Sequence, residues 1–148
     1  AGQSVVRVIP NFVDTERIRP ASRDTAYRRE VGAGDRAIVL YAGNLGYSQP
    51  LDLVIETARR WKDQRDDVCF VINGGGSERP RLEREAADLD SVVFVDFQPA
   101  DRLPEVLASG DVHLIVLRAG LARSSVPSKL YSTLAAGRPG FASTAPQT

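Results

Sequence analysis

The chain has no methionine, and only one cysteine, one histidine and one tryptophan in 148 residues. A single cysteine excludes a disulfide framework or a cysteine zinc cluster within the chain. Cys69 lies in the apolar run Val68-Cys69-Phe70-Val71-Ile72 and reads as a small buried hydrophobe. His113 sits mid-strand among apolar residues and reads as a structural or sheet-face residue, with a general base or ligand as the alternative. No apolar run reaches membrane-spanning length, and no signal peptide is visible, so cytoplasm is the default compartment. Neither sign of charge is in excess: 19 Lys and Arg balance 19 Asp and Glu. That balance argues against a nucleic-acid partner.

The missing methionine, the opening Ala1-Gly2-Gln3 and an end at Ser143–Thr148 just past a predicted strand suggest an internal piece of a longer protein. Residues 1–148 are enough for one domain with its own core.

Apolar runs and helical periods alternate along the chain. Val5 to Ile9 predicts a short leading strand, broken by Pro10-Asn11. Asp14 to Arg23 is polar without a period, and Thr25 to Val31 predicts a short helix ended by Gly32 and Gly34. Two continuous apolar runs, Ala37–Ala42 and Val68–Ile72, predict buried strands, and Val92–Val95 and Val112–Leu117 predict two more strands. Gly140–Ser143 predicts one more. Between them, Leu51, Val54, Ile55, Ala58 and Trp61 share a helical face, as do Leu82, Ala86 and Leu89, and then Leu103, Val106 and Leu107 in a helix capped near Asp101. The alternation predicts an α/β fold, a Rossmann-like parallel sheet with helices on both faces.

Such sheets bind ligands at the carboxyl ends of their strands. Gly43-Asn44, Gly74-Gly75-Gly76, Phe97-Gln98 and the loop from Ser124 to Lys129 all follow strands and are expected on one edge. In the last stretch, Pro127 and Ser128 suit a helix start, Leu130, Leu134 and either Ala135 or Ala136 form an apolar stripe, and Gly137 with Pro139 ends the helix. Lys129 in the first turn then offers positive charge beside free backbone N–H groups, a site for a phosphate or diphosphate. An incidental lysine on a surface helix is the competing reading. Asn44 reads either as a ligand contact or as a turn residue, and Gln49 either as a ligand contact or as a surface residue at a helix start.

Several motifs are missing. No Gly-x-Gly-x-x-Gly opens the first crossover, and there is neither a Gly-x-x-x-x-Gly-Lys-Ser/Thr nor a Gly-x-Ser-x-Gly. No complete catalytic constellation is visible.

The order of the pieces resembles the C-terminal, donor-binding domain of retaining GT-B glycosyltransferases of family four. The resemblance is carried by Val8–Asp14, Tyr41–Leu45, Ile72–Gly76, Val93–Pro99, Ser109–Val112, Pro127–Tyr131 and Leu134–Pro139. It implies one half of a GT-B fold that holds a nucleotide sugar, with the acceptor site mostly on an absent N-terminal domain. The sequence departs from the family pattern where an arginine and a lysine commonly grip the diphosphate; Asn44 and Gln49 stand there. It departs again at two common glutamates, replaced by Ser124 and Ser132. Asn44, Gln49 and Pro127-Ser128-Lys129 together resemble the bacterial branch that builds capsule and exopolysaccharide, including colanic-acid-type transferases.

On this resemblance the full-length protein is an enzyme that moves a sugar from a nucleoside-diphosphate sugar to a glycan or lipid-linked acceptor. The isolated domain is expected to be inactive. Lys129 and Asn44 are the candidate catalytic residues. Gly43, Asn44, Gln49, Phe97, Gln98, Ser128, Lys129 and Ser132 are the candidate donor contacts, Ser132 for the ribose and backbone near Phe97 and Gln98 for the base. No cofactor or metal is expected. The implied partners are the donor, the N-terminal domain and a lipid-linked glycan at the inner membrane face. Two other readings stay open: a nucleotide- or sugar-phosphate-binding module without transfer activity, and a sugar-nucleotide epimerase of the same architecture. A receiver-like domain is disfavoured, because the paired acids it needs at the first strand ends are absent.

Overall fold

The computed structural model describes residues 7, 9–118 and 128–143. Most of the predicted leading strand and the loop Ser124–Pro127 lie outside them, while Arg7 and Ile9 themselves are not in a strand.

Five strands form one sheet: β1 (Ala37–Ala42), β2 (Val68–Asn73), β3 (Val92–Val95), β4 (Val112–Val116) and β5 (Gly140–Ser143). The order is β3-β2-β1-β4-β5 and every pairing is parallel. The helices are α1 (Ala26–Glu30), α2 (Asp52–Trp61), α3 (Arg79–Glu85), α4 (Leu103–Ser109) and α5 (Lys129–Ala135). A parallel strand can be reached only by a crossover, so the helices cover the sheet's faces.

Alternation along the central strands divides the core. Tyr41 of β1 and Val68, Phe70 and Ile72 of β2 pack with Val54, Ile55 and Ala58 of α2 and Leu82 of α3. Ile38 and Leu40 of β1 and Cys69 and Val71 of β2 pack on the other face with Tyr27 and Val106, from α1 and α4. β2 is buried along its whole length, which is why it reads as an unbroken apolar run. β5 is an edge strand and largely exposed.

His113 is buried and its Nε2 hydrogen-bonds Leu107 O at 2.9 Å, tying β4 to the end of α4. Burial pushes its pKa down. Cys69 is buried, and burial pushes its thiol pKa up.

Three local expectations are corrected. Of the apolar stripe expected in α5, Ala136 at its C-cap does turn inward, packing with Leu107 and Ile18, but Thr133 is the other inward residue, while Leu130 is 37% and Leu134 62% exposed. The small inward side chains let α5 approach the sheet closely: Thr133 Cγ2 is 3.6 Å from where a Cβ on Gly140 would stand. The N-cap position of α4 falls on Arg102, the neighbour of Asp101, but no side chain caps it; Asp101 lies in a 3₁₀ turn, Ala100–Arg102, that leads straight into the helix. Leu103, at the exposed first turn of α4, is 37% accessible rather than part of its buried face.

Candidate functional site at the carboxyl edge of the sheet

The chain moves outward from β1 to β2 and β3, then returns to lay β4 on the other side of β1. The order of strands therefore reverses between β1 and β4, and a crevice opens there at the carboxyl ends. The loops bordering it are knitted together by backbone. Gly43 N donates to Asn73 O, Leu45 N to Gly75 O and Gly74 N to Val95 O, each at 2.8 Å. Gly74 has φ +147°, and a Cβ there would stand 1.9 Å from Gly43 O. Only glycine lets the β1 and β2 loops come this close. The exposed ring of Phe97, after β3, lies 3.4 Å from where a Cβ on Gly75 would be.

Lys129, the first residue of α5, reaches across this edge to β1. Its Cε and Nζ each lie 2.4 Å from the position of a Cβ on Gly43, so the absent side chain is what gives the lysine room. Its Nζ stands 3.8 Å from the centre of the Tyr41 ring. Burial pushes its pKa down to about 8. The Tyr41 hydroxyl donates to Asn44 O at 2.6 Å, and burial raises its pKa so that it stays a neutral donor.

Asn44 is exposed, and its side chain lies between Gly46 and Gly76. Its φ is not positive, so the turn does not need asparagine for a left-handed backbone. Gln49 Oε1 accepts from Gly46 N at 3.3 Å while Gln49 N donates to Gly46 O at 3.0 Å. Gln49 thus folds back to close its own loop. Ser128 occupies the N-cap position of α5 but makes no side-chain capping bond. Ser132 is half-buried one turn after Lys129, a spacing that puts the two on one side of the helix. The Gln98 amide is engaged: its Nε2 donates to Asp96 O at 3.1 Å and its Oε1 accepts from Arg102 at 3.0 Å. What Phe97 and Gln98 offer a ligand is therefore a ring face and backbone. Lys129 is brought against Gly43, and Asn44 and Gln49 meet around Gly46 in the loop that follows, while Ser124 lies outside the described residues.

Sequence reasoning missed Tyr41, Arg118 and Tyr47. Arg118 follows β4; its Nε donates to Tyr47 O at 2.9 Å, its backbone N donates to Ser48 O at 2.9 Å, and its guanidinium carbon lies 4.3 Å from the Tyr47 ring centre. It pins the β1 loop to the far bank of the crevice. Its position just past an apolar run was the available signal.

The amino edge is built differently. Arg28 is buried and donates to Gly34 O, Ser109 O and Asp111. Asp111 also accepts Ile38 N at 2.8 Å and pairs with Arg23. Burial raises the Asp111 pKa, but the Ile38 N–H and the two guanidinium groups outweigh it and hold the carboxyl below the usual range. A recess of about 590 Å³ there, lined by Arg23, Arg28, Gly34 and Asp35 among others, therefore contains cations that are already paired. Asp88-Leu89-Asp90 has the spacing of a metal-binding pair but precedes β3, and Asp88 is paired with Arg59 and Lys62. Among the described residues no group of three or more His, Cys, Asp or Glu is arranged to hold a metal ion, and no helix is long and apolar enough to cross a membrane.

A parallel sheet with helices on both faces and a switch point between β1 and β4 defines an open α/β domain whose ligand crevice lies at the carboxyl ends of its strands. Residues 36–148 match the family Glycosyl transferases group 1, and the chain belongs to that family. It is 37% identical over 142 residues to WcaI of Escherichia coli (strain K12), a protein named for a glycosyl transferase role in colanic acid biosynthesis. That match covers 93% of this chain and 34% of WcaI. It is 32% identical over 122 residues to the D-inositol 3-phosphate glycosyltransferase of Acidothermus cellulolyticus, covering 74% of this chain and 27% of that protein. The chain thus spans about a third of the length of the curated relatives it matches. Among solved structures, Anabaena HepE in complex with UDP and glucose superposes with a TM-score of 0.71 at 19% identity, over 92% of this chain and 37% of that one. The fold is that of one half of a GT-B glycosyltransferase.

Proposed function

We propose that this chain is the donor-holding domain of a retaining glycosyltransferase that takes its sugar from a nucleoside-diphosphate sugar. The observation that carries the reading is the Lys129 ammonium, held over Gly43 at the crevice between the ends of β1 and β4. A leaving nucleoside diphosphate gains negative charge as the glycosidic bond breaks. A fixed ammonium in a partly desolvated crevice stabilises that charge more in the transition state than in the ground state. Lys129 would meet the diphosphate, with Gly43 backbone and the exposed Asn44 amide as neutral donors. Gln49 would shape the loop, Phe97 would stack on the base, and Ser128 and Ser132 would complete the α5 side.

No metal is needed on this reading, because Lys129 supplies the countercharge. The structure of HepE holds UDP and glucose, which favours UDP as the first nucleotide to try. The likeness to WcaI favours an exopolysaccharide or lipid-linked acceptor, carried by a second domain at the inner face of the membrane in the cytoplasm. A binding module without transfer activity is the second reading, favoured by Ser132 standing where a carboxylate would act on the donor.

Calorimetric titration with UDP and GDP, for the native chain and Lys129→Ala, tests the proposal. Binding weakened about tenfold by the substitution, on an unchanged fold, is the expected result. Binding indifferent to Lys129 would overturn the assignment. Sugar transfer by a full-length form would separate the transferase from the binding module.

A further inference from the structure

Tyr41 is fully buried at the end of β1, among residues that do nothing but pack, yet both of its ends act on the carboxyl edge. We infer that Tyr41 is a positioning residue of the donor site, its ring face holding the Lys129 ammonium and its hydroxyl holding the loop that bears Gly43 and Asn44. The inference rests on the proposed diphosphate site and adds to it the group that assembles it.

The geometry is specific. The Lys129 Nζ lies 3.8 Å from the ring centroid, within the range in which a ring quadrupole attracts a cation. The lysine stem crosses Gly43, so the ammonium is held from below by a ring and from the side by a backbone without a Cβ. A free lysine side chain samples many rotamers, and ordering it on ligand binding costs affinity. A ring that orders it beforehand removes much of that cost. An ammonium has three donors, and a ring face takes up one side only, leaving donors for an anion on the other. At its far end the same residue donates to Asn44 O at 2.6 Å and fixes where the loop leaves the strand. One side chain therefore sets the spacing between a cation from α5 and a loop from β1.

The chain's lysines are Lys62 and Lys129, so the Lys129 side-chain signals are readily assigned by NMR. UDP is titrated into the native chain, Tyr41→Phe, Tyr41→Leu, Lys129→Ala and the double variant Tyr41→Leu with Lys129→Ala, with the fold followed by far-UV circular dichroism. The Lys129 Hε protons should lie upfield of ordinary lysine in the native chain and in Tyr41→Phe, because a ring still shields them. Tyr41→Leu should weaken UDP about tenfold, and once Lys129 is alanine it should cost only the roughly threefold carried by the hydroxyl. Tyr41→Phe should weaken UDP by roughly threefold. Fully additive losses, or Hε protons at their ordinary position in the native chain, would overturn the role of Tyr41 and leave the diphosphate site standing. Unchanged affinity in Lys129→Ala would overturn the site and the inference with it. If Tyr41→Leu fails to fold, the Hε shifts and Tyr41→Phe decide the matter.

Discussion

Lys129 is where local chemistry bears most on function. Its pKa lies near 8, below the ordinary lysine value, because burial penalises the ammonium. The unfolded chain therefore binds this proton more readily than the folded one between about pH 8 and the ordinary value of 10.5. Stability contributed by this group rises with pH across that window and is depressed below it. Lys129→Met, which keeps the apolar stem and removes the charge, should raise the stability of the ligand-free chain at pH 7. The gain is on the order of 1 kcal/mol, part of the burial cost being offset by the Tyr41 ring. Urea unfolding of both chains at pH 7 checks this. The same substitution should weaken UDP binding, a trade between stability and function expected of a charge held ready for a ligand. Ligand affinity has the opposite pH course: the ammonium is the binding form, so UDP affinity should fall as pH rises through about 8. Titrations at pH 7 and pH 9 should show this in the native chain and lose the slope in Lys129→Ala.

At the scale of elements, two opposite edges of one sheet are held by different means. The amino edge is locked by Arg28 and Asp111, which join α1, the start of β1 and the start of β4. Asp111→Asn leaves the buried guanidinium uncompensated and should cost about 3 kcal/mol, measured by chemical unfolding. The Asp111 pKa is depressed, so the stability it contributes is present above the ordinary aspartate range and is lost as pH falls through its folded value. The carboxyl edge is held by close backbone approach. Gly74→Ala would combine a Cβ 1.9 Å from Gly43 O with a backbone at φ +147°. It should cost more than about 2 kcal/mol and separate the β1 and β2 loops, read as faster amide exchange at Gly43 and Leu45. Strand positions were legible in the sequence because parallel strands buried on both faces are unbroken apolar runs. Helix faces were legible where large apolar residues point inward, as in α2. In α5 the face was only partly legible: Ala136 packs as the stripe suggested, but Thr133 does the rest and Leu134 is left outside.

For the whole molecule, topology turns separate strand ends into one site. The sequence showed that several loops follow strands, and therefore share an edge. It could not show that Gly43 and Lys129 touch, since that depends on β4 returning beside β1. Tyr41 was hidden for the same reason: inside Ala37–Ala42 it looks like one more core residue, and its second role follows from what α5 brings to it. The side-chain amide of Gln98 is taken up by Arg102 and Asp96, which leaves its backbone, the group expected to meet the base, as what it offers. The central claim is that the crevice at the β1–β4 switch point, and not the amino edge, receives a nucleoside diphosphate. The direct measurement is the amide chemical-shift map of the chain on adding UDP. The account predicts shifts at Gly43, Asn44, Gly75, Phe97 and Lys129, with Arg28, Gly34 and Asp111 unmoved. Shifts concentrated around Arg28 and Asp111, or none anywhere at saturating UDP, would contradict it.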